Sequence, residues 1–319
     1  MVLVTGASGF LGSELVRQLL LQGKPVRAIK RSTSVIPQGL AATDLIDWRD
    51  ADVLDYYALQ KAMENITEVY HCAAMVSVRK EDKKRMFRVN VEGTANLVNL
   101  CLKNNIRKLI HASSVSAVGN SKNGQHISEN DHWQFNRDQS NYSVSKYESE
   151  MEVFRGIAEG LNAAIVNPSI IIGRNAGSRG SGQLFEAVKN GLRFYPGGTC
   201  GLVDVEDVAA IMIRLMESDI QTERFILNSE NISYQELFTS IARGYGLLPP
   251  KYRLKPWMLR SGALASVIAR MITGRELGIT KEITRSAFKV SRYSNEKITK
   301  ALNTRFKPVN ESILEICRA

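Results

Sequence analysis

The sequence predicts an α/β chain, a doubly wound parallel sheet followed by a smaller, mainly helical C-terminal part. Three observations carry that prediction. Short apolar runs alternate with helical patterns through most of the first 228 residues, an order that places helices on both faces of a parallel sheet. Gly6, Gly9 and Gly12, in the stretch TGASGFLG, stand three apart at the first strand-to-helix junction. From about residue 229 onward the apolar spacing is helical.

The elements follow in order. Residues 2–4 are an apolar strand; Phe10, Leu11, Leu15, Val16, Leu19 and Leu20 then recur at helical spacing, and Lys24-Pro25 leads into a second strand at 26–29. Further strands are expected at 45–46, 69–71, 108–111, 164–166 and 225–227, with helices around 84–104, 142–160 and 205–217. The run from Gly177 to Gly182 is too glycine-rich to hold regular structure cheaply and reads as a mobile loop, a candidate lid. Helices are expected at 234–245 and, amphipathic, at 257–272; the latter carries Arg260 and Arg270 and is too short and too charged to span a bilayer.

With 44% apolar residues over 319 positions, the chain can bury a large core. The opening MVLVTG runs straight into the first strand without a basic leader, and Cys72, Cys101, Cys200 and Cys317 form no CxxC pair. A cytoplasmic protein with reduced thiols, and no metal site, is expected. The net charge of +10 is lopsided: of 42 Lys and Arg and 32 Asp and Glu, residues 251–319 hold 15 and 5, leaving 27 of each in the remainder. Such a basic end can mark an anionic ligand, a membrane surface or simply a solvated face. It has no recognition motif or aromatic interleaving that would indicate nucleic acid.

The glycine spacing has a physical job in a dinucleotide site. Gly6 permits a tight turn, Gly9 lets the backbone approach a pyrophosphate, Gly12 lets helix and strand pack, and the helix N-terminus binds the phosphate charge. A purely structural turn would show the same triplet. An NAD site places Asp or Glu at the end of the second strand to accept from the ribose 2′-hydroxyl. Here Lys30-Arg31 stand there, which favours NADP(H) over NAD(H), Arg31 being the better bidentate partner for a phosphate. Both can equally be surface cations.

A tyrosine precedes a lysine by four residues twice, at Tyr142/Lys146 and at Tyr293/Lys297. Only the first falls on a helix directly after a sheet strand, where the spacing puts both side chains on one face. A free phenol titrates near 10, and a neighbouring ammonium is expected to draw Tyr142 down toward operating pH.

Taken together, TGASGFLG, the HCAA run at 71–74, NVEGT at 90–94, SSVSAVG at 113–119 and Tyr142-x-x-x-Lys146 resemble the extended short-chain dehydrogenase/reductase superfamily, the NAD(P)-dependent epimerase/dehydratase family. NPSIIIG at 167–173, FYPGG at 194–198 and VDVEDVA at 203–209 resemble its dihydroflavonol 4-reductase-like subgroup. The resemblance implies a Rossmann domain from 1–173 with 201–228, and a substrate-binding lid part from 174–200 with 229–319. It implies Tyr142 as proton donor, Lys146 as its partner and as a contact of the nicotinamide ribose, and Ser114 as the hydroxyl holding the substrate oxygen, with Ser113 and Ser116 as rivals. Gly6, Ser8, Gly9, Phe10, Leu11, Gly12, Lys30, Arg31, Asp52, Val53, Ala73, Ala74, Lys146, Pro168 and Ser169 would contact the cofactor; Asp52 reads equally as a turn aspartate.

His71 and His111 sit in apolar runs and are expected to be core residues. His126 and His132 lie in the segment between Ser114 and Tyr142, beside the substrate opening. Family dehydratases place acids directly after the catalytic hydroxyl residue, where this chain has Val115-Ser116. The expected activity is NADPH-dependent reduction of a ketone or aldehyde on a small, partly apolar molecule; the helices at 84–104 and 142–160 resemble those that pair in family dimers, which leaves both a monomer and a homodimer open. An NAD-dependent nucleotide-sugar epimerase and a non-catalytic NADP(H)-sensing protein are the alternatives.

Overall fold

The computed structural model describes residues 1–40, 43–77, 79–120, 125–136, 139–177, 180–255 and 287–318. The expected amphipathic helix at 257–272 and Ser178-Arg179 of the glycine-rich stretch lie outside them.

Seven parallel strands form the main sheet: β1 (Val2–Thr5), β2 (Val26–Lys30), β3 (Ile46–Asp50), β4 (Glu68–His71), β5 (Lys108–Ala112), β6 (Ala163–Pro168) and β10 (Glu223–Leu227). Their spatial order is β10-β6-β5-β4-β1-β2-β3. Val2 pairs with Val26 on one side and Glu68 on the other, so the chain winds outward from β1 through β2 and β3 and then resumes on β1's other flank at β4. That reversal opens a crevice at the C-terminal ends of β1 and β4, where doubly wound sheets bind ligands.

Alternation along the strands divides the core. Val2 and Val4 pack on one face with Leu15, Val16 and Leu19 of α1 (Phe10–Leu21) and with Val208, Met212 and Leu215 of α7 (Val205–Glu217). Leu3 points to the opposite cluster, with Leu97 and Cys101 of α4 (Gly93–Lys103) and Val153 of α5 (Asn141–Ala158). Each such buried aliphatic side chain contributes roughly 1.5–3 kcal/mol relative to exposure. α2 (Tyr56–Ala62) packs on the same face through Leu59 and Ala62, with the Asp55 carboxylate capping it at Ala58 N. Lys108 is buried and donates from Nζ to the carbonyls of Leu215 and Ser218, placing a cation at the negative end of α7.

The helix expected across 84–104 is not continuous. α3 (Lys83–Phe87) passes into a π-helical segment, Arg88–Glu92, before α4. The bulge turns Asn90 inward, where its carboxamide accepts from Met75 N and donates to Met75 O and Ser145 Oγ.

A second, three-stranded sheet of β7 (Ile170–Ile172), β9 (Thr199–Asp204) and β11 (Glu230–Ser233) carries the smaller part. Its strands are short and were not expected from the sequence. α6 (Gly182–Lys189), α8 (Tyr234–Gly244) and α10 (Val309–Arg318) cover it through Leu184, Phe185, Leu237, Phe238, Ile241 and Ile313. Gly182, expected in a loop, therefore opens a helix instead. A two-stranded pair of β8 (Phe194–Tyr195) and β12 (Tyr252–Arg253), together with α9 (Glu296–Leu302), completes the described elements. None of the described helices is long and apolar enough to cross a membrane.

Candidate active site

Each glycine of the first turn is fixed by a different constraint. Gly6 has φ +66°, and a Cβ there would lie 2.7 Å from the Ala73 nitrogen at the end of β4. A Cβ on Gly12 would lie 2.2 Å from the Gly6 carbonyl oxygen. Gly9 meets only that same oxygen, at 3.1 Å, so little of the protein's own packing demands glycine there. Gly9 is the N-cap of α1 without a side-chain cap, and the first turn of α1 holds no acid. The turn thus presents unfilled backbone N–H groups and a positive helix end to the crevice, a cradle that fits a pyrophosphate. Ser8, Phe10 and Leu11 flank it, partly buried; the Phe10 ring lies against Gly173.

α5 carries Tyr142 and Lys146. Ser140 caps it at Ser143 N, which puts Tyr142 in the first turn. Ser143 Oγ donates to Ser116 O, binding the helix start to the turn that carries Ser114. Ser114 lies close enough to the Tyr142 phenol to draw its value down against burial. Of the rival serines, Ser113 points inward toward Glu150, and Ser116 is engaged through its backbone, its N–H donating to Ser114 Oγ. Lys146, one turn beyond Tyr142, is buried and donates from Nζ to Ala112 O at 2.8 Å.

The electrostatics correct one expectation. Burial raises the Tyr142 phenol above its usual value, and the influence opposing it is Ser114 rather than Lys146. The ammonium is anchored on the carbonyl end of β5, where burial pushes it down to about 8. Its charge is felt at His71, Cys72 and His111 instead. Tyr142 is therefore a protonated acid at neutral pH. Tyr293, the control pair's tyrosine, sits beyond the sheet beside Gly201 and Ile127.

A second correction concerns the cations after β2. Lys30 Nζ is paired at 2.6 Å with Asp50 on β3, an acid that comes from the neighbouring strand. Arg31 is exposed and, among the described residues, its guanidinium has no partner. Asp52 accepts from Leu54 N in a turn, and Val53 is buried against Gly93 with its carbonyl taken by Asn96. Ala73 N donates to Thr5 Oγ1, while Ala74 is exposed at the crevice edge. Pro168 and Ser169 end β6, both buried, with Ser169 Oγ lacking a partner.

His71 is the core residue expected, bridging Thr5 Oγ1 and Thr94 Oγ1; burial holds it at about 3 and so neutral. His111 is neutral for the same cause, with Ser149 on Nε2 and no partner on Nδ1. His126 and His132 are exposed. Three residues that frame the site were not singled out from sequence. Asn90 and Asn167 fasten the backbone around it, Asn167 Nδ2 donating to Ser114 O at 2.9 Å. Trp133 stacks on Tyr147 of α5 at 4.0 Å, pinning the segment between Ser114 and Tyr142 to that helix.

Residues 2–227 match the model of the NAD dependent epimerase/dehydratase family. The chain belongs to this family. Among curated members of the epimerase/dehydratase family and their relatives, it is 31% identical over 268 residues to sterol demethylase protein B of Methylococcus capsulatus, covering 82% of this chain and 80% of that protein. It is 32% identical over 261 residues to a putative dihydroflavonol 4-reductase of Synechocystis, covering 80% and 75%. The crystal structure of gox2253 superposes with a TM-score of 0.85 at 30% identity, covering 100% of this chain and 97% of that one. UDP-glucose 4-epimerase of Thermus thermophilus, solved with NAD, shares the fold at a TM-score of 0.77 and 21% identity, covering 99% and 97%. The family's relatives thus include both reductases and epimerases.

Proposed function

We propose that this chain is an NADPH-dependent oxidoreductase that reduces a ketone or aldehyde carbonyl on a small, partly apolar molecule. The observation that carries the reading is the Ser114 turn tied to the start of α5 through Ser143, which sets Ser114 beside Tyr142, with the Lys146 ammonium one turn behind and the glycine cradle at the first turn of the sheet. Relatives named as a dihydroflavonol reductase and a cinnamoyl-CoA reductase support carbonyl reduction.

The turn of Gly6, Gly9 and Gly12 would hold the pyrophosphate of the dinucleotide, whose reduced nicotinamide would supply the hydride. The chain's own residues do the rest. Ser114 Oγ holds the substrate oxygen as negative charge grows on it, a donor fixed in advance by its turn. Tyr142, kept protonated by burial, gives its proton to that oxygen. Lys146, mostly charged at neutral pH, supports the site as a fixed cation and is placed to reach a ribose hydroxyl. Arg31, the unpaired cation after β2, would take the 2′-phosphate in a bidentate contact.

A panel of carbonyl substrates followed at the reduced-nicotinamide absorbance, with NADPH and NADH side by side, tests the reading. Turnover favouring NADPH, abolished in Tyr142→Phe while NADPH still binds, is expected. Equal rates with both cofactors would remove the Arg31 argument. Turnover of nucleotide sugars without net use of cofactor would establish the epimerase alternative.

A further inference from the structure

α5 carries a third titratable residue on the face of Tyr142 and Lys146. Glu150 follows Lys146 by one turn and is fully buried, at 0% exposure. A carboxylate so placed costs several kcal/mol unless paired and hydrogen-bonded. Its partners come from three elements. Asn167 Nδ2 of β6 donates to Oε1, and the same nitrogen donates to Ser114 O. The Arg224 guanidinium of β10 lies 3.5 Å from Oε2. Burial raises the Glu150 carboxyl above its usual value, and Ser113 at the end of β5, Arg224, Asn167 and Lys146 oppose that by favouring the charged form. Arg224 in turn donates to Glu129 O, in the segment between Ser114 and Tyr142. Lys146 itself faces Glu150, Cys72 and His71 of β4, and His111 of β5; of these, Glu150 and Cys72 favour its charged form against burial.

We propose that Glu150 is a positioning residue, a buried anion that keeps Lys146 charged from behind and, through Asn167, fixes the turn presenting the Ser114 hydroxyl. Glu150 does not reach the reacting atoms; it acts through its two neighbours. A carboxylate serving only the Arg224 pair and packing would, when replaced by the amide, lower stability by leaving Arg224 without its partner, and would leave the Lys146 titration where it is. The activity readout rests on the carbonyl-reductase reading; the spectroscopic one does not.

The test compares wild type, Glu150→Gln and Glu150→Asp in the full chain. The Lys146 Nζ signal is titrated by nitrogen NMR, assigned by its loss in Lys146→Met, and the pH profile of NADPH-driven reduction is recorded on the best substrate of the carbonyl panel. In Glu150→Gln the Lys146 titration and the upper limb of the profile both move down by about one pH unit. In Glu150→Asp, which keeps the charge and shortens the reach, both stay near wild type although the rate falls. A Lys146 titration unchanged in Glu150→Gln overturns the proposal, as does a profile displaced equally in both variants. If Glu150→Gln does not fold, Arg224→Met asks the same question, since loss of that cation keeps Glu150 protonated to higher pH and must move Lys146 downward. A Lys146 shift in a chain that reduces no carbonyl leaves this inference standing and sinks the reductase reading.

Discussion

Lys30 Nζ and Asp50 Oδ1 stand 2.6 Å apart, so one of the two cations that follow the second strand is already neutralised by the third. Under the proposed reading, discrimination between cofactors therefore falls on Arg31. Arg31→Ala is expected to weaken NADPH binding at least tenfold while leaving NADH within about twofold, and Lys30→Ala to do much less. Dissociation constants from fluorescence titration decide it. Equal losses for both cofactors would mean that Arg31 never meets the 2′-phosphate.

The glycine turn separates folding from binding. Gly12→Ala places a methyl 2.2 Å from a backbone oxygen, and Gly6→Ala adds a left-handed backbone to a similar clash; each is expected to cost on the order of 3 kcal/mol or more, read as a lowered Tm. Gly9→Ala should leave Tm nearly unchanged and weaken dinucleotide binding. A Gly9→Ala protein as unstable as Gly12→Ala would show that the turn serves packing alone.

Tyr142→Phe should lower kcat by about 100-fold to 10,000-fold with NADPH affinity retained. The pH profile has a definite sign. Lys146 is charged below about 8 and neutral above it, so kcat/KM for reduction should be flat toward neutral pH and fall as pH rises through about 8. Activity that climbs above that point would contradict a role for the ammonium.

Asp207, in the first turn of α7, accepts from Lys307 N at 2.7 Å, and burial raises its carboxyl to about 6 from 3.8. The folded chain then binds the proton more tightly than the unfolded chain. Its contribution to stability is greatest below about 4, declines as pH rises to about 6, and is lost above. Asp207→Asn should remove that decline, so the difference in Tm between wild type and variant should change between pH 4 and 6 and level off above. A difference constant across that window would show that Asp207 titrates normally.

Much of the fold was legible because apolar runs and punctuation agree along the main sheet; each strand expected there is present, β3 extending further to Asp50. The small sheet was hidden for a physical reason. β7, β9 and β11 run only three to six residues, and helices cover what they bury. The site was legible where residue types are scarce, as with glycines and the Tyr-Lys spacing. It was not legible where a helix turns polar groups inward. Ser145, Lys146, Ser149 and Glu150 are the buried face of α5, so apolar periodicity says little about which way that helix faces. The π bulge that aims Asn90 leaves no compositional trace either, and Asp50 comes from a strand whose pairing no local pattern reveals.

Ile127 bridges to Tyr293, its N–H donating to Arg292 O and its carbonyl accepting from Ser294 N. The segment between Ser114 and Tyr142 and the stretch around Tyr293 are thereby stitched across more than 160 positions of sequence. A graft moving one stretch alone would strand two backbone groups at the seam. The two stretches are halves of one seam, to be exchanged as a pair or not at all.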